Sequence, residues 1–110
     1  MRPTRFYSNK QEKKVAKAVC GKQISNSGAT SFSKGDVRTD LFLIECKTRT
    51  ADCDSFTLKR EWFEKNEEEA FAMGKPYTAI AFDFGDGINH YIIDEKLFKK
   101  LIFVLGVSDE

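Results

Sequence analysis

One segment of the sequence, residues 34–48 with the letters KGDVRTDLFLIECKT, constrains the fold more than any other. Leucine, phenylalanine and isoleucine fill residues 41–44, and they point to both faces because strand side chains alternate. A strand that is apolar on both faces is typical of the centre of a sheet covered on both sides. The segment therefore predicts a central strand over Leu41–Thr48, beside a shorter strand over Asp36–Arg38.

The rest of the chain predicts the helices and strands that surround this strand. Ser8 and Gln11 fit a capping box, and Val15, Ala16 and Val19 recur at helical spacing, which predicts a helix over residues 9–20 that stops at Gly21. The next predicted elements are a short strand near Gln23–Asn26 and a helix over Leu58–Met73, capped by Ser55 or Thr57 and ended by Gly74. Two strands are then predicted in YTAIAFDF and NHYIID, joined by a turn at Asp86-Gly87. The final segment, EKLFKKLIFVLG, is predicted to be an amphipathic helix or partly a strand. The order α-β-β-β-α-β-β-α predicts a single α/β domain over residues 1–110, with a central mixed β-sheet flanked by helices.

Composition excludes several classes of protein. The chain is 41% hydrophobic and 32% charged, which is typical of a globular domain and not of a disordered one. No apolar run approaches the ~20 residues of a membrane span, and the N-terminus lacks the apolar region of a secretory signal. Cys20, Cys46 and Cys53 have no metal-type spacing and indicate reduced thiols. We therefore expect a cytoplasmic protein with no membrane partner and no zinc site.

Charge is distributed unevenly along the chain. Residues 1–50 contain eleven Lys and Arg against four Asp and Glu, a net charge of +7, whereas residues 51–110 contain seven against thirteen, a net charge of −6. A basic half on a nearly neutral protein indicates either a polyanion-binding face or a solvated, lysine-rich helix. Charge alone does not separate these two interpretations.

Acidic side chains cluster around the end of the central strand. Glu45 and Lys47 share one strand face, and Asp36 joins that face if the hairpin loop between the two strands has an even number of residues. A loop centred on Thr39-Asp40 would make Asp36 the diagonal neighbour of Glu45, about 7–8 Å away at the backbone. Asp40 is the alternative partner, although it lies nearer the turn.

Two carboxylates on one face form a hard-oxygen site that suits Mg²⁺ or Mn²⁺ together with water and phosphate oxygens. Lys47 could orient a water or stabilise charge that develops on a phosphate. Glu12 lies on the inward stripe of the first predicted helix and could supply a third acid. The alternative interpretation is a solvated Glu–Lys pair at a strand end.

The pattern Gly35-Asp36 followed by Leu43-Ile44-Glu45-Cys46-Lys47 resembles the signature of the PD-(D/E)XK, or restriction-endonuclease-like, nuclease superfamily, with glycine in place of proline. More narrowly, residues 8–84 resemble the archaeal-type Holliday junction resolvases and their phage relatives. In that group a helix with a glutamate, a Ser/Gly loop, an aspartate strand, an apolar strand ending in Glu-x-Lys, a helix and another strand follow one another. Here the corresponding segments are Glu12, SNSGATS, Asp36, FLIECK, Leu58–Met73 and YTAIAF.

The resemblance implies an αβββαβ core and a Mg²⁺- or Mn²⁺-dependent endonuclease that acts on DNA, with branched or junction DNA as the expected partner. It implies that Asp36 and Glu45 bind metal, that Lys47 handles the attacking water and that Glu12 assists. Cys46, which separates Glu45 from Lys47, is included in the predicted metal site, although its side chain is expected to pack. The expected DNA contacts are made by Lys34, Arg38, Arg49 and Ser27, with Ser31 as an alternative to Ser27.

Symmetric cutting of a junction needs two active sites, so we expect a homodimer. Two other functions remain open at this point. One is a nuclease of the same fold with another substrate, such as a nickase, a restriction-type enzyme or an RNA-cutting enzyme. The other is a non-catalytic nucleic-acid-binding module in which the acidic residues are structural.

Overall fold

The strands form one five-stranded mixed sheet whose spatial order follows the chain. The computed structural model describes residues 4–24 and 36–106. Its strands are β1 (Lys22–Gln23), β2 (Val37–Arg38), β3 (Phe42–Lys47), β4 (Tyr77–Phe82) and β5 (His90–Ile92), in the order β1-β2-β3-β4-β5. The central pair β3 and β4 is parallel, and the other neighbours are antiparallel. The predicted mixed sheet is confirmed.

Three helices complete a compact α/β domain: α1 (Thr4–Ala18), α2 (Arg60–Ala72) and α3 (Glu95–Gly106). The element order matches the prediction. Helix α2 connects β3 to β4, because parallel neighbours require a crossover connection. The final segment, for which helix and strand were both open, is helical from Glu95 onward, and the carboxylate of Asp94 accepts the N–H of Leu97 at 2.8 Å as a cap.

Helices α1 and α2 cover opposite faces of the sheet. On one face Val15 of α1 packs against the core side chains Val37, Ile44, Cys46, Ala79 and Ala81. Leu43 and Ile80 are fully buried and, by strand alternation, face the other side, where α2 packs against β3 and β4. The central position of the FLIECK strand follows from this two-sided burial, as the sequence predicted.

Some predicted boundaries were wrong for identifiable reasons. Helix α1 begins at Thr4, four residues before the predicted cap, so Ser8 lies inside the helix, where its hydroxyl donates to the carbonyl of Thr4 instead of capping. Helix α2 begins at Arg60, and its N-cap residue Lys59 makes no side-chain capping bond, so neither Ser55 nor Thr57 is the cap. The strand expected near residues 23–26 is β1, which covers Lys22–Gln23 in the described part of the chain.

The predicted helix stops use different geometry at the two glycines. Gly74 adopts the left-handed backbone conformation after α2, with φ +71°, which would be strained for a residue with a side chain. After α1 the residue with the left-handed conformation is Cys20, with φ 55°, and Gly21 is the next residue. A Cβ on Gly21 would lie 2.5 Å from the carbonyl oxygen of Arg38, so this glycine permits the close approach of α1 to β2. Among residues 4–24 and 36–106, no helix is long and apolar enough to cross a bilayer.

Candidate active site

The β2–β3 hairpin has an even register, as the candidate site requires. Val37 pairs with Ile44 and Arg38 with Leu43, so the turn is centred on Asp40-Leu41, one residue later than predicted. The hydroxyl of Thr39 fixes this turn by accepting the N–H groups of Leu41 and Phe42 at 3.2 and 3.0 Å. The paired register ends at Val37: the N–H of Asp36 donates to the carbonyl of Ile44 at 3.0 Å, and the carboxylate of Asp36 reaches the Cys46 N–H, between Glu45 and Lys47.

Asp36 is held against β3 by its own carboxylate. Its Oδ2 accepts the backbone N–H of Cys46 at 2.7 Å, in the place where a strand neighbour would offer a carbonyl. Burial first, and then the charges of Glu45 and Glu12, raise the pKa of Asp36 to about 7, against the Cys46 N–H and Lys47, which lower it. The ionised form of Asp36 therefore lacks sufficient positive charge around it in the protein alone.

Lys47 lies between Glu45 and an aromatic ring. Its Nζ is 3.2 Å from Glu45 Oε2, and both side chains are about three-quarters buried, with 28% and 23% exposed. The same Nζ lies 4.6 Å from the ring centroid of Trp62 on α2, within the range of a cation–π contact. Trp62 therefore limits where the Lys47 ammonium can go when Glu45 moves.

The first helix brings an amide and a carboxylate toward the end of β3. Gln11 is 3% exposed, and its Nε2 donates to the carbonyl of Lys47 at 2.8 Å and to Asn89 Oδ1 at 3.0 Å. Glu12 is 9% exposed and accepts a bond from Gln23 Nε2 at 2.9 Å. Glu12 therefore faces the sheet and not bulk solvent, and its charge acts on Asp36. A catalytic role for Glu12 stays a prediction.

Asp40 and Cys46, the other two candidate metal ligands, lie in different surroundings. Asp40 is exposed in the turn before β3, where its carbonyl accepts a bond from Lys75, so it lies at the opposite end of β3 from Lys47. Cys46 is 7% exposed, with its side chain in the core. Burial first, and then the Asp36 and Glu12 carboxylates, raise the pKa of the Cys46 thiol far above its usual value. The thiol stays protonated, so only the main-chain carbonyl of Cys46 could contribute to a metal site.

Of the residues expected to contact DNA, the structure describes Arg38 and Arg49. Arg38 is exposed on β2, opposite Leu43. Arg49 is exposed just beyond β3, with its guanidinium carbon 5.5 Å from the ring centroid of Phe56. Ser27, Ser31 and Lys34 lie outside the described residues.

A basic groove adjoins the site on the side of α1. It has a volume of about 280 Å³, and its charged lining residues are the three cations Lys10, Lys14 and Arg49 and the two acids Asp83 and Asp86. The Lys14 ammonium donates to the carbonyl of Gly87, which draws the β4–β5 connection toward α1. The basic half of the sequence thus contributes cations beside the end of β3, where an anionic ligand would approach.

Sequence reasoning missed three buried polar residues that position the site. Gln11 was assigned to a cap, yet it precedes Val15 by four residues and belongs to the same inward stripe. Asn66, between Trp62 and Ala70 on α2, is 2% exposed and donates to the carbonyls of Leu43 and Ala79, both at 3.3 Å. The spacing of Asn66, four residues from both Trp62 and Ala70, could have predicted that it lies on the inward face of α2.

The third of these residues, Asp83, joins the loops that follow β3 and β4. It is 4% exposed and accepts bonds from the hydroxyl of Thr48 at 2.5 Å and the N–H of Gly85 at 3.0 Å. A Cβ on Gly85 would lie 2.2 Å from the carbonyl oxygen of Ala51, so the two loops are in close contact. The contact with Thr48 joins residues 35 positions apart in the sequence, so no local pattern predicted it.

Within residues 4–24 and 36–106, no group of three or more His, Cys, Asp and Glu side chains converges as a metal site. What the described residues offer is a pair of carboxylates, Asp36 and Glu45, whose repulsion is incompletely balanced. That donor set fits Mg²⁺, which keeps several waters and binds few protein carboxylates, better than it fits zinc.

No protein family, curated protein or solved structure matches this chain. The resemblance to the PD-(D/E)XK nucleases therefore rests on the residues of the motif. The geometry around Asp36 and Glu45 must be judged on its chemistry.

The raised pKa of Asp36 predicts an unusual pH dependence of stability in metal-free protein. The folded-state pKa of about 7 exceeds the ordinary aspartate value of 3.8, so the folded state binds more protons between these values. The free energy of unfolding should therefore fall as pH rises from about 4 to about 7, by an amount on the order of a few kcal/mol.

Urea denaturation in EDTA across this range measures the effect, with Asp36→Asn as the matched variant. Its amide oxygen can still accept the Cys46 N–H but cannot ionise, so the variant should be the more stable protein at pH 8. Identical pH profiles for the two proteins would contradict the assignment of a strained carboxylate.

Proposed function

We propose that the protein is a metal-dependent endonuclease that hydrolyses DNA phosphodiester bonds, related to the PD-(D/E)XK nucleases and acting on branched DNA such as Holliday junctions. The observation that carries the proposal is that the Asp36 carboxylate accepts the N–H of Cys46, between Glu45 and Lys47, while Lys47 is paired to Glu45. The raised pKa of Asp36 supports it, since a divalent cation between the carboxylates would remove their repulsion.

The order of elements also supports the proposal. Helix α1, three antiparallel strands, the crossover helix α2 and the parallel strand β4 follow one another, an order compatible with the αβββαβ core that the resemblance implies. The carboxylates lie on β3 and just before β2, and Glu12 approaches from α1. Fold alone does not define function, so the argument depends on these side chains.

The chemistry assigned to the site is attack of water on a backbone phosphorus. A bound Mg²⁺ would act as a Lewis acid on the phosphate and lower the pKa of water. Asp36 and Glu45 would hold the cation, and Lys47 would orient the attacking water and offset charge that develops on the phosphate oxygens. One P–O bond forms to the water oxygen and one backbone P–O bond breaks. The proton lost by the water passes to solvent, and the leaving oxygen acquires a proton.

Substrate binding is assigned to the basic groove beside α1. Lys10 and Arg49 line it together with Lys14, at the end of β3 where Lys47 lies. Phosphate contacts of this kind position nucleic acid without reading its sequence. The proposal therefore requires that the affinity for DNA fall strongly as the salt concentration rises.

Arg49→Gln tests this requirement. We expect weaker DNA binding and a salt dependence that is flatter by about one slope unit, because one phosphate contact is lost. Lys99→Gln is the matched control, because it removes one charge from an exposed residue of α3 and should leave the slope unchanged. Fluorescence anisotropy with labelled DNA in Ca²⁺ measures both slopes. Equal slopes for the two variants would contradict a role for Arg49.

The central experiment compares substrates under Mg²⁺. Four-way junction, flap, linear duplex, supercoiled plasmid and RNA duplex are incubated with the protein and, in parallel, with Glu45→Gln. Preferential cutting of the four-way junction by the parent protein alone supports the full proposal. Cutting of other DNA or of RNA would contradict the proposed substrate but would still support a metal-dependent nuclease. Binding with no cleavage of any substrate favours the non-catalytic module.

A further inference from the structure

Helix α3 exposes an unusual amount of apolar surface. Its exposed large apolar residues are Phe98 at 54%, Leu101 at 41%, Ile102 at 54%, Phe103 at 68%, Val104 at 69% and Leu105 at 78%. Residues 101–106 contain no charged side chain, so this half of the helix can lose contact with water without burying an unpaired charge. Contiguous apolar surface of this kind marks an interaction site on soluble proteins.

The described part of the chain leaves α3 largely unpartnered. Leu97 is its one buried residue, and among the described elements no helix or strand packs extensively against α3. Lys100 attaches the middle of the helix to the body, with its Nζ 2.8 Å from the hydroxyl of Tyr77. Beyond Lys100 every described residue of α3 is exposed.

An open apolar groove lies on the α1 face of the same sheet. It has a volume of about 600 Å³, and its apolar lining includes Val19, Leu41, Phe42, Ile44, Ala79 and Tyr91. Leu41 and Tyr91 are 52% and 40% exposed, so α1 covers only part of this sheet face. No residue of α3 lines the groove. The chain thus carries an apolar helix and an apolar groove that do not fill one another within one molecule.

We propose that the occupant of the groove is α3 of a second copy, and that the exchange is reciprocal in a two-fold homodimer. A chain that carries both complementary surfaces forms a closed pair when each copy inserts its helix into the other. An aromatic side chain such as Phe buries about 150–250 Å² when fully covered. Six exposed apolar side chains on α3, two of them Phe, together with the groove therefore offer apolar area on the order of the ~800 Å² per partner of a stable interface.

The interface leaves the candidate active site accessible. The groove includes Leu41 and Phe42 at the start of β3, whereas Glu45 and Lys47 lie toward its other end. Each copy therefore keeps its own carboxylate pair, and dimerisation does not depend on the proposed nuclease activity. A failure of either inference leaves the other standing.

Sedimentation velocity on the full chain tests the association. The parent protein should sediment as twice 12.6 kDa at micromolar concentration, and Ile102→Glu and Leu105→Glu should each sediment as monomers. Ile88→Glu is the matched control, because it places the same charge on a residue that is 60% exposed outside α3, and it should remain dimeric. Circular dichroism and melting temperature verify that each variant is folded. A monomeric parent, or α3 variants that remain dimeric, would overturn the proposal.

Cysteine cross-linking tests where α3 docks. Cys20 is exposed and lines the groove, so Phe98→Cys, Ile102→Cys and Leu105→Cys can each be examined for an intermolecular disulfide with it under mild oxidation. At least one of these variants should give a covalent dimer that disappears when Cys20→Ser is added. A dimer cross-linked without Cys20 would indicate α3–α3 pairing and would overturn docking in the groove. An intramolecular disulfide, or a monomer that instead binds anionic lipid vesicles, would also overturn it.

Discussion

Glu45→Gln is expected to lower Mg²⁺-dependent DNA cleavage by about 10³-fold or more. The amide keeps the volume of the side chain but is a poor ligand for a hard divalent cation, and metal stabilisation of a phosphoryl transition state amounts to several kcal/mol. Glu45 is 23% exposed and contributes no apolar side chain to the core, so the fold should persist. Removal of one negative charge beside Asp36 should also lower the pKa of Asp36.

Three measurements separate loss of chemistry from loss of structure. Cleavage is followed under single-turnover conditions, DNA affinity is measured in Ca²⁺, and the free energy of unfolding is measured in urea. Glu64→Gln provides the control, because it makes the same change on the exposed side of α2. We expect unchanged or tighter DNA binding for Glu45→Gln. Substantial Mg²⁺-dependent cleavage by purified Glu45→Gln would remove Glu45 from the site.

Lys47→Met is expected to reduce the cleavage rate by about 10²- to 10⁴-fold, the range for a positioned catalytic group or charge-stabilising donor. Methionine keeps an unbranched apolar chain against Trp62 but cannot orient water or offset charge on a phosphate. Because the assigned role lies in the chemical step, kcat should fall far more than DNA affinity. If saturating DNA restored the full rate to Lys47→Met, its role would be limited to binding.

The single tryptophan provides a second readout for the Lys47 variants. The Lys47 ammonium lies 4.6 Å from the Trp62 ring centroid, so Lys47→Met should change the emission of Trp62 in the absence of DNA. Lys47→Arg is the matched variant, because it retains a cation that can stack on the ring but presents a planar fork in place of a compact ammonium. We expect Lys47→Arg to retain more of the parent emission than of the parent cleavage rate.

The local pattern of the sequence was sufficient to predict the central features of this fold. Apolar residues on both sides of the FLIECK segment predicted a strand covered on both faces, and helices α1 and α2 do cover it. The element order and the position of Glu45 and Lys47 near the end of that strand also followed from the sequence. These features depend on alternation and on helical spacing, which are properties of adjacent residues.

Tertiary contacts decided the rest. The register that pairs Val37 with Ile44 depends on the hydroxyl of Thr39, which holds the turn one residue later than predicted. The high pKa of Asp36 arises from burial and from carboxylates on another strand and another helix.

The buried amides of Gln11 and Asn66 bond to backbone carbonyls of strands that lie far away in the sequence. Helix α3 has the amphipathic composition of a core helix, yet its apolar residues remain exposed. Sequence periodicity predicts which residues share a face, because a face is set by local backbone geometry. Which surface covers that face depends on the rest of the folded molecule and on its partners.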